Sequence, residues 1–148
     1  MSTSHNIRWP CIRVGKPGCR IALYGAEEEM MQVTYSSITH INGLKEYYVI
    51  DSDMNKIRLK DARLAKERSV LLKAFFSILN PFVRITFTCQ KEGSLNMDQL
   101  KSLVLDEIGY ILRGVSKSER TEAMTDLDNC KDFGDIERFL CKMGRCYK

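Results

Sequence analysis

Apolar and polar residues alternate along the first part of this chain and recur at helical spacing along most of the rest. Two alternating runs, Val33–Ile41 and Leu44–Ile50, flank Asn42-Gly43. A two-residue type I′ turn needs positive φ at both central positions, which Asn-Gly tolerates well. The pattern predicts a hairpin pairing Ile41 with Leu44, Ile38 with Tyr47 and Tyr35 with Ile50. A second turn signal, Ser52-Asp53-Met54-Asn55, follows. A loop of two or four residues there puts Ile57 and Leu59 on the face of Tyr48 and Ile50, with Arg58 and Lys60 opposite.

Earlier strands are expected near 7–14, with Pro10 confining the first to an edge or bulge, and near 19–24. Gly15-Lys16-Pro17-Gly18 is a turn between them, and Gly25–Glu29 reads as an acidic loop. After the meander the period changes. Leu64, Leu71, Leu72, Phe75 and Leu79 predict a helix over 61–79, capped by Asp61, ended by Asn80-Pro81 and buried at its far end. Val83 to Cys89 alternates as a strand, and Lys91-Glu92-Gly93 reads as a turn. Capping boxes at Asn96/Gln99 and Ser116/Glu119 open helices over 97–113 and 117–127. Asp132 opens a last helix over 133–143, ended by Gly144.

These elements define an α+β class: an antiparallel meander of strands near 7–14, 19–24, 31–41, 44–51 and 56–60, plus 83–89, packed with about four helices. The length of 148 residues fits a single domain, β-rich over 1–60 and α-rich over 61–148, with residues 1–5 expected to be disordered. The longest apolar run, Val70 to Leu79, is too short to span a bilayer. No basic cluster precedes an apolar run at the start, so the expected location is cytoplasmic, with no membrane contact.

The six cysteines, at 11, 19, 89, 130, 141 and 146, lack zinc spacing. Reduced structural thiols are expected, with Cys89 and Cys141 buried and Cys146 exposed. Net charge is only +4, but its distribution is uneven. Arg8, Arg13, Lys16 and Arg20 precede the acidic Glu27-Glu28-Glu29, and Lys60, Arg63, Lys66, Arg68 and Lys73 form a second basic group. A solvated surface is the simpler reading of this tilt, and a nucleic-acid footprint is the alternative.

Candidate chemistry is sparse. Asp51-Ser52-Asp53-Met54-Asn55 imitates the start of a calcium loop, but Lys56 stands where the bend wants glycine and Ala62 where the closing carboxylate belongs. A turn explains the same residues, and no metal or cofactor is expected. Asp126, Asp128, Asp132 and Asp135 fall where helix capping is the cheaper role. His40, beside the Asn-Gly turn, is more simply a passive surface histidine than a catalytic base, and no nucleophile elbow or phosphate loop accompanies it.

In this general style the chain resembles immunity proteins and other inhibitors that neutralise a toxin or enzyme by stoichiometric binding. That resemblance implies a non-enzymatic module whose partner is another protein. The expected surface is Ile38, Tyr47 and Val49 rimmed by His40, Lys45, Arg58 and Lys60, together with the Glu27, Glu28 and Glu29 loop. The alternatives are a nucleic-acid-binding regulator using the basic N-terminus and residues 60–73, and an uncharacterised enzyme centred on His40.

Overall fold

The computed structural model describes residues 6–14, 21–34, 48–64, 70–79 and 81–147. It is an α+β architecture of seven strands and five helices among those residues. The strands are β1 (Cys11–Val14), β2 (Ile21–Tyr24), β3 (Gln32–Thr34), β4 (Tyr48–Asp51), β5 (Asn55–Leu64), β6 (Phe82–Ser94) and β7 (Cys146–Tyr147). The helices are α1 (Glu27–Met31), α2 (Val70–Leu79), α3 (Met97–Leu112), α4 (Lys117–Asp128) and α5 (Phe133–Lys142). Strand order is β3-β6-β5-β4-β1-β2-β7, antiparallel except for the parallel β2–β7 pair.

The turn between β4 and β5 sets the faces of this sheet. β4 ends at Asp51 and β5 begins at Asn55, which leaves a three-residue loop, and Met54 in it has φ of 66°. An αL residue closing a three-residue hairpin is a known solution, although for a non-glycine it costs about 1 kcal/mol. Asp51 offsets that cost. Its buried carboxylate accepts from the amides of Arg8 (3.3 Å), Asp53 (3.1 Å) and Asn55 (2.9 Å), and from Asn55 Nδ2 (3.2 Å). The calcium-like residues thus serve the hairpin itself.

An odd loop reverses the parity expected from an even one. Tyr48 pairs with Arg58, Val49 with Ile57 and Ile50 with Lys56. Ile57 therefore shares a face with Val49, and Arg58 shares one with Tyr48 and Ile50, the reverse of the expected sorting. The predicted pairing of Tyr35 with Ile50 also fails. A strand has two edges, and those of Ile50 are taken by Ile12 of β1 and Lys56 of β5. The preceding strand, β3, lies instead at the far side of the sheet, against β6. The Asn42-Gly43 turn, the Gly15–Gly18 turn, Cys19 and residues 1–5 lie outside the described residues.

Each face has its own core. Ile12, Val14, Ile21, Leu23 and Ile50 meet the inner stripes of α3, α4 and α5, including Val104, Ile108, Leu127, Ile136 and Leu140. Cys11, Ala22, Tyr24, Val49, Ile57 and Leu59 form the second cluster, closed by Met30 of α1 and by Ile7 and Trp9. The capping boxes at Asn96 and Ser116 and the Asp132 cap are all present, so the three C-terminal helices start where their sequence signals place them. Gly144 ends α5 with φ of 74°.

Other boundaries moved. Residues 61–64 continue β5 and do not open a helix, because that strand pairs with β6 as far as Leu64 opposite Ile85. A register shift between Lys60 and Arg63 breaks the alternation there and lets the segment pass for helical. Lys91-Glu92-Gly93 is no turn. It carries a second register shift inside β6, opposite Lys56 and Ile57. The acidic Glu27–Glu29 segment forms the short α1, opened by a hydrogen bond from the Gly25 amide to Glu29 Oε2 (2.8 Å). Cys141 is neither buried nor free. It forms a disulfide with Cys146 over a Cα–Cα distance of 4.8 Å, tying the end of α5 to β7.

Replacing Asp51 with alanine leaves three part-buried backbone amides without their acceptor. Asp51→Ala is expected to lose about 3 kcal/mol of stability in urea unfolding, and Asp51→Asn, which keeps acceptor oxygen, clearly less.

Candidate functional site

The helical layer covers β1, β2 and β4 and stops short of β5 and β6. On β6 the even positions Phe82, Arg84, Thr86, Thr88 and Gln90 are exposed, while Val83, Ile85, Phe87 and Cys89 are buried or half-buried. Arg58 and Lys60 stand opposite Gln90 and Thr88 on the same open side. The result is an uncovered two-strand ledge whose outward side chains are mostly cationic or hydrogen-bonding. From Phe82 to Gln90 it runs about 26 Å at the usual strand rise.

One end of the ledge is tightly organised. Glu92, the residue displaced by the register shift, receives the Arg58 guanidinium through both Nε and Nη2, the latter at 3.3 Å. Lys56 Nζ lies 3.9 Å from the same carboxylate and 4.5 Å from the centroid of the Tyr48 ring. Lys60 Nζ donates to Gln90 Oε1, and Thr88 Oγ1 donates to the Lys60 carbonyl at 3.3 Å. The hydrogen bond from Arg58 holds the Glu92 carboxyl below its ordinary range, with the charges of Arg58, Lys56 and Lys60 adding to it. Burial raises the Tyr48 phenol, as does the charge of Glu107 on α3.

Glu107 itself is the odd group at this border. Its Oε2 is buried and makes no hydrogen bond. Burial first, then the neighbouring Asp106, pushes its carboxyl up.

The expected partner surface does not assemble as one patch. Ile38, His40, Lys45 and Tyr47 lie outside the described residues. Val49 is fully buried against Cys11, Met30 and Ile57, so it is core and not a surface anchor. The odd turn and the cover from α1 and the N-terminal segment account for this correction. Glu27 and Glu28 are exposed, but α1 packs on the Val49 side of the sheet, opposite Arg58. Arg58 and Lys60 of the expected rim stand on the ledge. Arg84, Thr88 and Gln90 join them unforeseen. The signal was the polar half of the Val83–Cys89 alternation, which none of the described helices covers.

Other clusters are spent on structure. A groove of about 320 Å³ between α4 and α5 is lined by Asp126, Cys130, Asp135, Arg138, Phe139 and Lys142. Its charges answer each other: Lys142 holds Asp126 at 2.9 Å, and Arg138 holds Asp135, which also accepts from the Lys131 amide at 2.8 Å. Burial pushes the Cys89 thiol up to about 11 and raises Cys11 and Cys130 as well, so none of the three is a ready thiolate at neutral pH. Among the described residues no group of His, Cys, Asp and Glu is arranged to hold a metal ion. No described helix is long and apolar enough to cross a membrane. Compared with known proteins, the chain matches no family model, no curated protein and no solved structure.

Two carboxyls on the ledge border are expected to act on stability in opposite senses. The folded pKa of Glu92 is lowered, so its contribution is present above the ordinary carboxylate range and is lost as pH falls through the folded value. Its side chain is 30% exposed, so Glu92→Gln should cost below about 1 kcal/mol at pH 7. The folded pKa of Glu107 is raised, so its ionisation costs stability as pH rises through the folded value. Glu107→Gln should gain on the order of 1 kcal/mol at pH 7, and the gain should vanish at a pH below both its pKa values. Thermal melts of both variants across pH 3 to 8 check the signs.

Proposed function

We propose that this protein is a non-enzymatic protein-binding module of the immunity or inhibitor kind, and that it meets its partner with the β5–β6 ledge. The observation that carries the reading is the Arg58–Glu92–Lys56–Tyr48 cluster, held in place where the described helices stop and the β5–β6 part of the sheet is left open. A side chain already fixed by its neighbours loses little entropy on binding. Arg and Tyr are also the residue types that most often anchor interfaces. Lys56, Arg58, Lys60 and Arg84 outnumber the single acid Glu92 among the outward residues, so the partner surface is acidic.

The same cations support a second reading, a nucleic-acid-binding regulator. Of its expected N-terminal cations, Arg8 lies 3.5 Å from Asp53 and Arg13 sits over the Tyr24 ring at 5.0 Å, while Lys16 and Arg20 lie outside the described residues. Among the described residues that reading rests on the ledge. Phe82, the exposed aromatic on the outward row of β6, stands at the far end of the ledge from Arg58, so base stacking and the tight cationic cluster do not coincide among the described residues.

Affinity purification of the tagged protein from its native host, followed by mass spectrometry, should return a stoichiometric partner. The Arg58→Glu, Lys60→Glu double variant is expected to weaken that complex at least about tenfold, or 1.4 kcal/mol. Unchanged affinity would remove the ledge from the interface. Retention of DNA or RNA that falls steeply with salt, with no stoichiometric protein, would decide for the second reading.

A further inference from the structure

At the other end of the ledge the chemistry changes from polar to apolar. Helix α2 was expected to bury its C-terminal end, and it does not. Leu71 is 75% exposed, Phe75 58%, Ile78 83% and Leu79 68%. Phe82, which opens the outward row of β6, is 75% exposed. Leu71, Phe75, Ile78 and Leu79 are spaced i, i+4, i+7 and i+8, which is one face of a helix. Met124 is the one exposed large hydrophobic among the described residues that lies outside 71–82. A concentrated apolar patch of this kind marks an interaction site.

The charges around the patch select its occupant. From Val70 to Gln90, the stretch that forms α2 and the outward row of β6, the chain carries Lys73 and Arg84 and not one Asp or Glu. Arg84 is exposed on the same side of β6 as Phe82. We propose that α2 and the start of β6 dock on an anionic bilayer surface, with the apolar stripe in the headgroup–acyl boundary and the cations against acidic lipid headgroups. Such a surface supplies an apolar medium and a plane of negative charge together. A second copy of the chain supplies the first without the second, because pairing two such patches brings like charges together. The helix has ten residues, or about 15 Å at the α-helical rise, roughly half the hydrocarbon thickness, so it lies on the membrane and does not cross it. This departs from the sequence-based expectation of no membrane contact. It is independent of the partner reading above, since the Arg58 cluster occupies the opposite end of the ledge.

The test is co-sedimentation of the full chain with large unilamellar vesicles, one set of phosphatidylcholine alone and one of three parts phosphatidylcholine to one part phosphatidylglycerol. Binding to the anionic vesicles should exceed binding to the neutral ones by about tenfold and should weaken as salt is raised. Phe75→Ser with Ile78→Ser should cut it about tenfold, while circular dichroism and thermal midpoint stay near wild type because both side chains are exposed. Arg84→Glu should lower the preference for anionic vesicles. Failure to sediment with either vesicle overturns the proposal, as does equal sedimentation with both. A dimer in light scattering that the Phe75, Ile78 double variant dissociates, without vesicle binding, would assign the patch to a second copy. A protein captured through α2 that vesicles do not compete away would assign it to a partner's groove.

Discussion

A buried carboxylate in a hairpin turn sets the frame for the rest of this molecule. Asp51 gathers the amides of Arg8, Asp53 and Asn55 around itself, and in doing so stabilises a three-residue loop with Met54 in the left-handed region. The loop length decides parity, and parity decides which side of β5 carries Ile57 and which carries Arg58. Had the loop one residue more or fewer, the cations of β5 would point into the Cys11–Met30 cluster and Ile57 would point outward. Arg8 extends the effect to the N-terminal segment, which closes that cluster through Ile7 and Trp9.

From this register follows an uneven use of the sheet. One face is covered by the helices only over β1, β2 and β4, and the other is covered by α1 and the N-terminal segment over β1, β2, β4 and β5. The long β5–β6 hairpin is thus half-clothed. Its inner row of Ile57, Leu59, Ile85 and Phe87 is sheltered, and its outer row of Arg58, Lys60, Arg84 and Thr88 faces water. The two proposed contacts sit at opposite ends of this outer row. The Arg58–Glu92 end is polar and pre-organised, and the Phe82 end merges with an apolar helix.

The C-terminal half of the chain was readable because its signals are local. Asn96 with Gln99, and Ser116 with Glu119, satisfy helix-end amides within four residues, and no distant contact can override them cheaply. The β half was readable in class and misread in arrangement. The Ser52–Asn55 turn announced itself, but its length depends on Met54 accepting a conformation that composition assigns to Gly or Asn. The pairing of β3 with β6 joins residues about fifty apart, and nothing in the Val33–Ile41 alternation points there. The same distance hid the ledge: Arg58 was visible as a rim residue, but Glu92 and Gln90 reach it only through the β5–β6 pairing. Apolarity misled at α2, where a nearly all-apolar helix read as buried and is exposed.

The register of β4 against β5 is the claim on which the faces, the ledge and both surfaces depend, and it is open to direct measurement. In a nuclear Overhauser spectrum of the isotopically labelled protein, the cross-strand backbone contacts of Val49 should be to Ile57 and those of Tyr48 to Arg58. Contacts from Ile50 to Ile57, as an even-numbered loop would produce, would turn the ledge inward and contradict the account.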